Sequence, residues 1–254
     1  MKMHSVKALA AAVGTVAVLA GSVTQASAAE PVSGNPTANP TQYADYLEHS
    51  SEEGASTALE KFRGLTPTEQ NRFLSYVQDP SLYKDFLASA PEQDDDNLSV
   101  NTDRSVSLRN GDVTYESEGA VSGVRSAADG VLPSGDFTVK RSNKIKVLGI
   151  TLVELKIWVK FHSNGHDITK VLDADGGQRN LSGSVNFSKE RAKKSLGYQQ
   201  FCRRGGSCVA GHTAIASIIW NGSAVIEDSS FQFDKKQTLT AARDGSGHAN
   251  LKNV

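Results

Sequence analysis

The chain has little cysteine, and after residue 28 it has no long hydrophobic run. Only 2 of its 254 residues are cysteine, and they are so close in sequence that a disulfide between them contributes about 2 kcal/mol, too little to hold a whole domain together. Crossing a bilayer as a helix takes about 20 consecutive apolar residues, and no segment beyond residue 28 approaches that length. The sequence therefore excludes an integral helical membrane protein.

Catalytic motifs are also missing. The sequence contains no His-Glu-x-x-His, no Gly-x-Ser-x-Gly, no phosphate-binding Gly-Lys-Ser/Thr loop and no dinucleotide-binding glycine motif. Residues 173–177 begin like a calcium loop, but Gln178 and Ser184 stand where that loop needs a glycine and an acid. We therefore interpret the segment as an Asp-Gly turn, with an irregular calcium site as the alternative, and expect neither a metal nor a cofactor. These absences weaken an enzymatic function without excluding it.

Residues 1–28 have the composition of a secretory signal peptide. Lys2 and Lys7 precede an apolar run at residues 8–20, and small residues at 26–28 provide a cleavage site. We expect cleavage after Ala28 and secretion of the mature protein by a bacterium. An uncleaved anchor helix is the alternative, which the shortness of the apolar run disfavours.

The expected secretion determines the redox state of the two cysteines. Cys202 and Cys208 would then reach a non-reducing compartment, where two thiols this close in sequence are expected to form a disulfide. A zinc site is a poorer interpretation, because two cysteines without nearby histidine supply half of a tetrahedral shell. The expected disulfide shapes a single loop.

Charge divides the rest of the chain into two halves of opposite sign. Residues 29–103 hold 14 acidic and 4 basic residues, whereas residues 104–254 hold 14 acidic and 21 basic residues. We expect either that the two halves attract each other or that each half meets a charged partner of its own.

The acidic half combines two linkers with a small helical module. Composition predicts a flexible linker at residues 29–42 and an exposed acidic linker, open to proteases, at residues 91–103. Between them, residues 43–90 repeat apolar side chains at helical spacing and predict three short amphipathic helices.

Local signals mark where these helices begin and end. Thr66, followed by proline and by Glu69, has the pattern of a capping box, so we expect the second helix to start there. The third helix is expected at residues 80–89, and Gly54 is a candidate break in the first.

Residues 104–254 predict a basic antiparallel β-domain. Apolar residues now recur at every second position, most regularly at 153–161, where charged residues occupy the alternate positions. Asn-Gly pairs at 110–111, 164–165 and 221–222 predict hairpin turns. About nine short strands predict an antiparallel β-sandwich, with a partly open barrel as the alternative.

One helix is predicted inside the β-domain, at residues 189–196, where basic residues are densest. Basic side chains there could bind an anionic surface, dock the acidic helices, or present an arginine to a trypsin-like protease. A solvated charged loop is the fourth interpretation. The basic cluster, as we call it, consists of Lys189, Arg191, Lys193, Lys194, Arg203 and Arg204.

Trp158 is the other candidate binding residue. By alternation it lies on the charged face of its strand, beside Lys156 and Lys160, where an aromatic ring suits a sugar or a partner surface. The alternative, which we favour because the helices need an apolar surface to pack on, is that the helices cover this face and bury the tryptophan.

Histidines offer weaker candidates. His162, His166 and Asp167 flank one predicted turn and could meet on a metal or act as a general base, and His212 could act as a base with a nearby serine or aspartate. We interpret these histidines as surface and strand-end residues, because no nucleophile motif accompanies them.

The sequence thus predicts a secreted bacterial binding protein that acts at a cell surface or on another secreted protein. The expected partner is an anionic surface polymer or a secreted protein, and nucleic acid is not expected. The alternative is a secreted pro-protein whose acidic helices mask a hydrolase, toxin or protease-inhibitor domain until the linker at residues 91–103 is cut.

Overall fold

Alternation of apolar and polar residues dominates the chain after residue 103, and ten β-strands result. The computed structural model describes residues 35–89, 103–122, 131–202, 208–226 and 229–254. The strands are β1 (Arg104–Leu108), β2 (Val113–Ser122), β3 (Ser134–Val147), β4 (Ile150–Asn164), β5 (Ile168–Asn180), β6 (Val185–Lys189), β7 (Lys193–Cys202), β8 (Cys208–Ile226), β9 (Ser229–Ala241) and β10 (Gly247–Asn253).

The strands form two antiparallel sheets. The first has the order β1-β2-β3-β4-β5, and the second has the order β10-β9-β8, with β6 and β7 both paired to the remaining edge of β8. Ile157 and Val159 of β4 and Ile218 and Trp220 of β8 are fully or almost fully buried between the sheets. The predicted mainly β fold with antiparallel sheets is confirmed, and the described strands do not close into a barrel.

Four helices precede the strands: α1 (Pro40–His49), α2 (Ala55–Arg63), α3 (Pro67–Val77) and α4 (Pro80–Ser89). The capping box predicted at Thr66 and Glu69 is confirmed, because each side chain bonds to the other residue's backbone N–H. The predicted first helix is two helices, because α1 ends at His49 and Gly54, with a left-handed φ of 82°, precedes the start of α2 as its N-cap.

Tyrosine hydroxyls connect the helices to the strands. Tyr43 Oη donates to the carbonyl oxygen of Leu181 at 2.7 Å, and Tyr115 Oη of β2 donates to that of Leu82 at 2.8 Å. Both tyrosines are buried. The described helices and strands belong to one compact unit, Ser33–Val254.

Two predicted turns are wrong, and both are continuous strand. β8 passes straight through Asn221 and Gly222, because the ring of Phe233 on β9 covers the α-carbon of Gly222 and a side chain there would overlap it. β5 likewise runs through Gly176, where a Cβ would overlap Ile218 of the opposite sheet. In both places glycine permits close packing and does not mark a turn. The turns at 110–111 and 164–165 are confirmed, since each connects two antiparallel strands.

The predicted helix at residues 189–196 is also wrong. Lys189 ends β6 and pairs with Trp220, and Lys193 begins β7 and pairs with Ser217. The short segment has no apolar stripe to bury as a helix, so pairing with β8 satisfies its backbone instead.

Several predicted features lie outside the described residues. These are the signal peptide at residues 1–28, residues 29–34 of the linker predicted at 29–42, nearly all of the linker at 91–103, and Arg203 and Arg204. Within the ranges that are described, no helix is long and apolar enough to cross a membrane.

Candidate functional site

Trp158 lies on the outer face of the first sheet. Its strand neighbours Ile157 and Val159 are buried, whereas Trp158 is half-buried on the opposite face. Its direct cross-strand neighbours are Lys140 on β3 and Asp175 on β5. Alternation predicted this placement, and the ring therefore stands among charged side chains.

A bulge in the second sheet lies next to this face. Residues 190–192 connect β6 to β7 and lie opposite only two residues of β8, Ile218 and Ile219, so the edge carries one extra residue. The backbone N–H of Glu190 donates to the carbonyl oxygen of Ile219 at 2.9 Å. An extra residue bends the strand that carries it, which turns the side chains of the bulge away from the sheet.

The bulge and Trp158 enclose a groove of about 770 Å³. The structure thereby brings Trp158 together with four of the six residues of the basic cluster. The groove is lined by Trp158, Asp173, Ala174, Asp175, Lys189, Glu190, Arg191, Ala192, Lys193 and Lys194.

Two of these lysines hold the sheets together. Lys189 Nζ bonds to Asp175 Oδ1 at 2.6 Å and also to the carbonyl oxygen of Gly176, and Lys194 Nζ bonds to the carbonyl oxygen of Leu172. The hydrogen bond from Lys189 holds the pKa of Asp175 below its ordinary value. Both lysines donate hydrogen bonds to backbone or side-chain oxygens of the edge strand β5, so we assign them a structural role.

Arg191 and Lys193 differ from those lysines. Both side chains are exposed, and among the described residues neither has a hydrogen bond or an ion pair. Asp173 and Glu190 are exposed acids in the same groove. The groove therefore offers cations for an anionic ligand and carboxylates that can accept hydrogen bonds from hydroxyl groups.

The helices leave the groove uncovered. In the part of the chain that the structure describes, no helical residue lines it, contrary to the interpretation that the helices bury Trp158. The described cations of the β-strand half that contact acidic side chains of the helical half are Arg109, bonded to Asp79 at 2.6 Å, and Lys156 and Arg179, which lie 3.3 and 3.8 Å from Glu53. Contacts between the oppositely charged halves thus involve these residues and none of the described residues of the basic cluster.

The histidine candidates separate into two pairs. His162 Nδ1 lies 2.8 Å from Asp136 Oδ1, and His212 Nδ1 lies 2.6 Å from Asp167 Oδ2. His162 and Asp167, considered together from the sequence, therefore have different partners. No group of three or more metal-ligating side chains occurs within the described ranges.

Asp167 forms what we call the clasp, a two-point contact with His212. In addition to the ring contact, the backbone N–H of His212 donates to Asp167 Oδ1 at 2.9 Å. Burial alone raises the pKa of Asp167, but hydrogen bonds from His212 and from the N–H of Ile168 outweigh it and hold the pKa below its ordinary value. Because the imidazole is occupied by this contact, the geometry suits a structural link between the β4–β5 turn and β8.

Cys202 is the last residue of β7, and Cys208 is the first residue of β8. Cys202 and Cys208 are register partners, and such partners in antiparallel pairs have Cα atoms about 4.5–5.5 Å apart, within the range that a disulfide needs.

The sequence does not indicate Lys140 or Glu190 as binding residues, and it indicates Asp173 only for an irregular calcium site. Lys140 is 18 residues from Trp158 along the chain, and only strand register makes them neighbours. The sequence predicts a turn at Asp173 and a helix at Glu190, and neither prediction places these residues beside Trp158. No family model, curated protein or solved structure matches the chain, so its function is inferred from the residues of the groove.

Proposed function

We propose that the chain is a secreted bacterial binding protein that attaches to an anionic polymer at a cell surface through the groove beside Trp158. One observation carries the proposal. An aromatic ring and two exposed cations, Arg191 and Lys193, which have no acceptor among the described residues, line the same groove.

The charges of the groove explain both attraction and selectivity. Cations without acceptors draw a polyanion towards the protein over about a Debye length. Asp173 and Glu190 repel a polyanion that lacks hydroxyl groups, but they accept hydrogen bonds from a ligand that has them. The ring of Trp158 adds apolar contact area.

The test is retention on an anionic resin. We expect the mature protein to be retained on immobilised polygalacturonate at low ionic strength and to elute as salt rises, because exposed ion pairs are screened. The double substitution Arg191→Ala and Lys193→Ala should lower retention about tenfold.

The matched control is Lys236→Ala, which removes an exposed lysine of β9 outside the groove. Equal retention of the double variant and this control would remove the groove from the proposal. Absence of retention of the wild type on polygalacturonate and on polyglutamate alike would remove the proposal itself.

Secretion and the disulfide form the second part of the proposal. We expect a bacterial host that expresses the full chain to release residues 29–254 into the medium. The intact mass should rise by two hydrogens on reduction, as expected for one disulfide between Cys202 and Cys208. A cell-bound product that still carries residues 1–28, or an unchanged mass, contradicts this part.

The pro-protein alternative has less support. The helices share buried contacts with the strands through Tyr43 and Tyr115, so cutting the chain between residues 91 and 103 leaves those contacts in place. We expect the cut helical fragment to remain associated with the β-strands on gel filtration. Release of the fragment from a β-domain that stays folded would favour the alternative.

A further inference from the structure

The strand register places a second cation beside Trp158, on the side away from the bulge. Lys140 of β3, Trp158 of β4 and Asp175 of β5 form one row across the first sheet. Lys140 is exposed. The bulge with Arg191 and Lys193 lies beyond the β5 end of this row, since both residues line the groove with Asp175.

Lys140 differs from the other two lysines around Trp158. Lys156 is bound at 3.3 Å to Glu53, and Lys160 lies 3.7 Å from Asp136. Lys140 has no hydrogen bond or ion pair among the described residues. Of these three lysines it is the one whose ammonium group can accept a ligand's anion without giving up an existing ion pair.

We propose that the ligand of the groove is an acidic polysaccharide that crosses the strands, with a sugar ring on Trp158 and an acidic group on Lys140. This inference rests on the proposed function and specifies its ligand. It adds Lys140 as a binding residue that the sequence did not indicate.

The chemistry of the row favours sugar over other polyanions. A sugar ring has an apolar face that packs on an aromatic ring, and its hydroxyl groups donate to carboxylates. Trp158 and Asp173 supply these two contacts. A polyanion without rings or hydroxyl groups uses only the cations and is repelled by Asp173 and Glu190.

The spacing of the strands sets a minimum length for the ligand. Adjacent strands are about 4.8 Å apart, so Lys140 on β3 and Asp175 on β5 are separated by roughly 10 Å at the backbone. A ligand that reaches both Lys140 and the bulge must therefore be longer than one sugar ring. We expect galacturonate itself to bind far more weakly than its polymer.

The experiment compares two polyanions, one with sugar rings and one without. The wild-type protein is titrated with polygalacturonate and with polyglutamate at the same carboxylate concentration and ionic strength. We expect at least tenfold tighter binding to polygalacturonate. Equal binding to the two polymers overturns the polysaccharide inference and leaves the proposed function standing, whereas binding to neither removes both.

Variants test the two residues directly. Lys140→Ala and Trp158→Ala should each weaken binding to polygalacturonate about five- to tenfold, and Lys236→Ala should not. Trp158→Phe, which keeps an aromatic ring, should retain most of the affinity and also serves if the alanine variant fails to fold. A Lys140→Ala variant that binds like Lys236→Ala overturns the role of Lys140.

Discussion

Gly176 and Gly177 are adjacent in β5, yet only the first needs to be glycine. A Cβ at Gly176 would overlap the carbonyl oxygen of Lys156 and the Cδ1 atom of Ile218, which belongs to the opposite sheet. The corresponding position at Gly177 has no atom within 4 Å. The first glycine therefore permits the sheets to pack, while the second has open space around it.

We expect Gly176→Ala to lower the free energy of unfolding by about 1–3 kcal/mol, the usual cost of overpacking a core. Backbone atoms of β4 cannot move aside as the end of a flexible side chain can. Urea denaturation measures the change, and Gly177→Ala is the matched control, for which we expect little effect. Equal stability of the two variants would contradict the close contact.

Gly176 and Gly222 show why two of the turns predicted from residue pairs are wrong. Asp-Gly at 175–176 and Asn-Gly at 221–222 have the composition of turns, but both are strand. The reason is non-local, because Gly176 faces Ile218 and Gly222 faces Phe233. A pair of residues contains no information about a side chain that approaches from another strand.

At the scale of elements, the end of the β7–β8 hairpin depends on the clasp. β9 pairs with β8 only from Ala214 onward, so residues 208–213 pair only with β7 among the described strands. Tyr198 on β7 is 66% exposed, and its ring meets the His212 ring edge-on at 5.3 Å between centroids. Asp167 is the described contact that joins His212 to the first sheet.

We expect Asp167→Ala to loosen this hairpin without unfolding the protein. Hydrogen bonds to a charged group contribute about 1.5–3 kcal/mol, so amide exchange at residues 208–213 should accelerate more than tenfold. His166→Ala is the control, because it changes the neighbouring exposed side chain and keeps the backbone. Unchanged exchange at 208–213 in the Asp167 variant would show that the clasp does not restrain the hairpin.

The clasp also predicts a dependence on pH. The pKa of Asp167 is lowered in the folded chain, so the stabilisation is complete above the ordinary aspartate pKa of about 3.9 and is lost as pH falls through the lowered value. We expect the protection of the amides at residues 208–213, measured as exchange relative to the intrinsic rate at each pH, to fall below about pH 4 in the wild type. The Asp167→Ala variant should lack this component, and identical pH profiles would contradict the assignment.

Two helices whose limits have local signals and whose apolar residues recur at helical spacing were predicted well. The capping box at Thr66 and the helix Pro80–Ser89 follow from neighbouring residues, and the structure has both. Residues 189–196 also lie between residues typical of helix caps, Ser188 and Gly197, but they have no apolar stripe and their conformation is decided by pairing with β8. Non-local pairing overrides weak helix propensity because it satisfies the backbone groups of β6 and β7 that face β8.

At the scale of the whole molecule, buried tyrosines join the helices to the sheets. Burial is the main cause that raises the pKa values of Tyr43, Tyr83 and Tyr115. The hydroxyls of Tyr43 and Tyr115 hydrogen-bond between helix and strand parts of the chain, and that of Tyr83 lies 3.2 Å from Ser184 Oγ. Ionising any of them while folded would place a charge in the interior.

We therefore expect the protein to lose stability in alkaline solution. The unfolded chain releases these protons at about pH 10, whereas the folded chain keeps them, so the free energy of unfolding falls as pH rises above 10. Urea denaturation at pH 7.5 and 10.5 measures the loss. Tyr43→Phe should reduce the difference between the two pH values, and Tyr198→Phe, at an exposed position, should not. Equal differences in the two variants would contradict the prediction.

The sequence by itself determined the mainly β fold, the helices α3 and α4, the opposite charges of the two halves and the outward direction of Trp158. Each of these depends on residues that are close along the chain, through the periods of helix and strand and the chemistry of caps. Only the tertiary structure decided which charges meet. In the folded chain Lys189 and Lys194 form hydrogen bonds with oxygens of β5, whereas Arg191 and Lys193 remain exposed in the groove. Strand register also places Lys140 beside Trp158. Those contacts depend on register and sheet packing, which are set by the burial of the whole core rather than by any single segment.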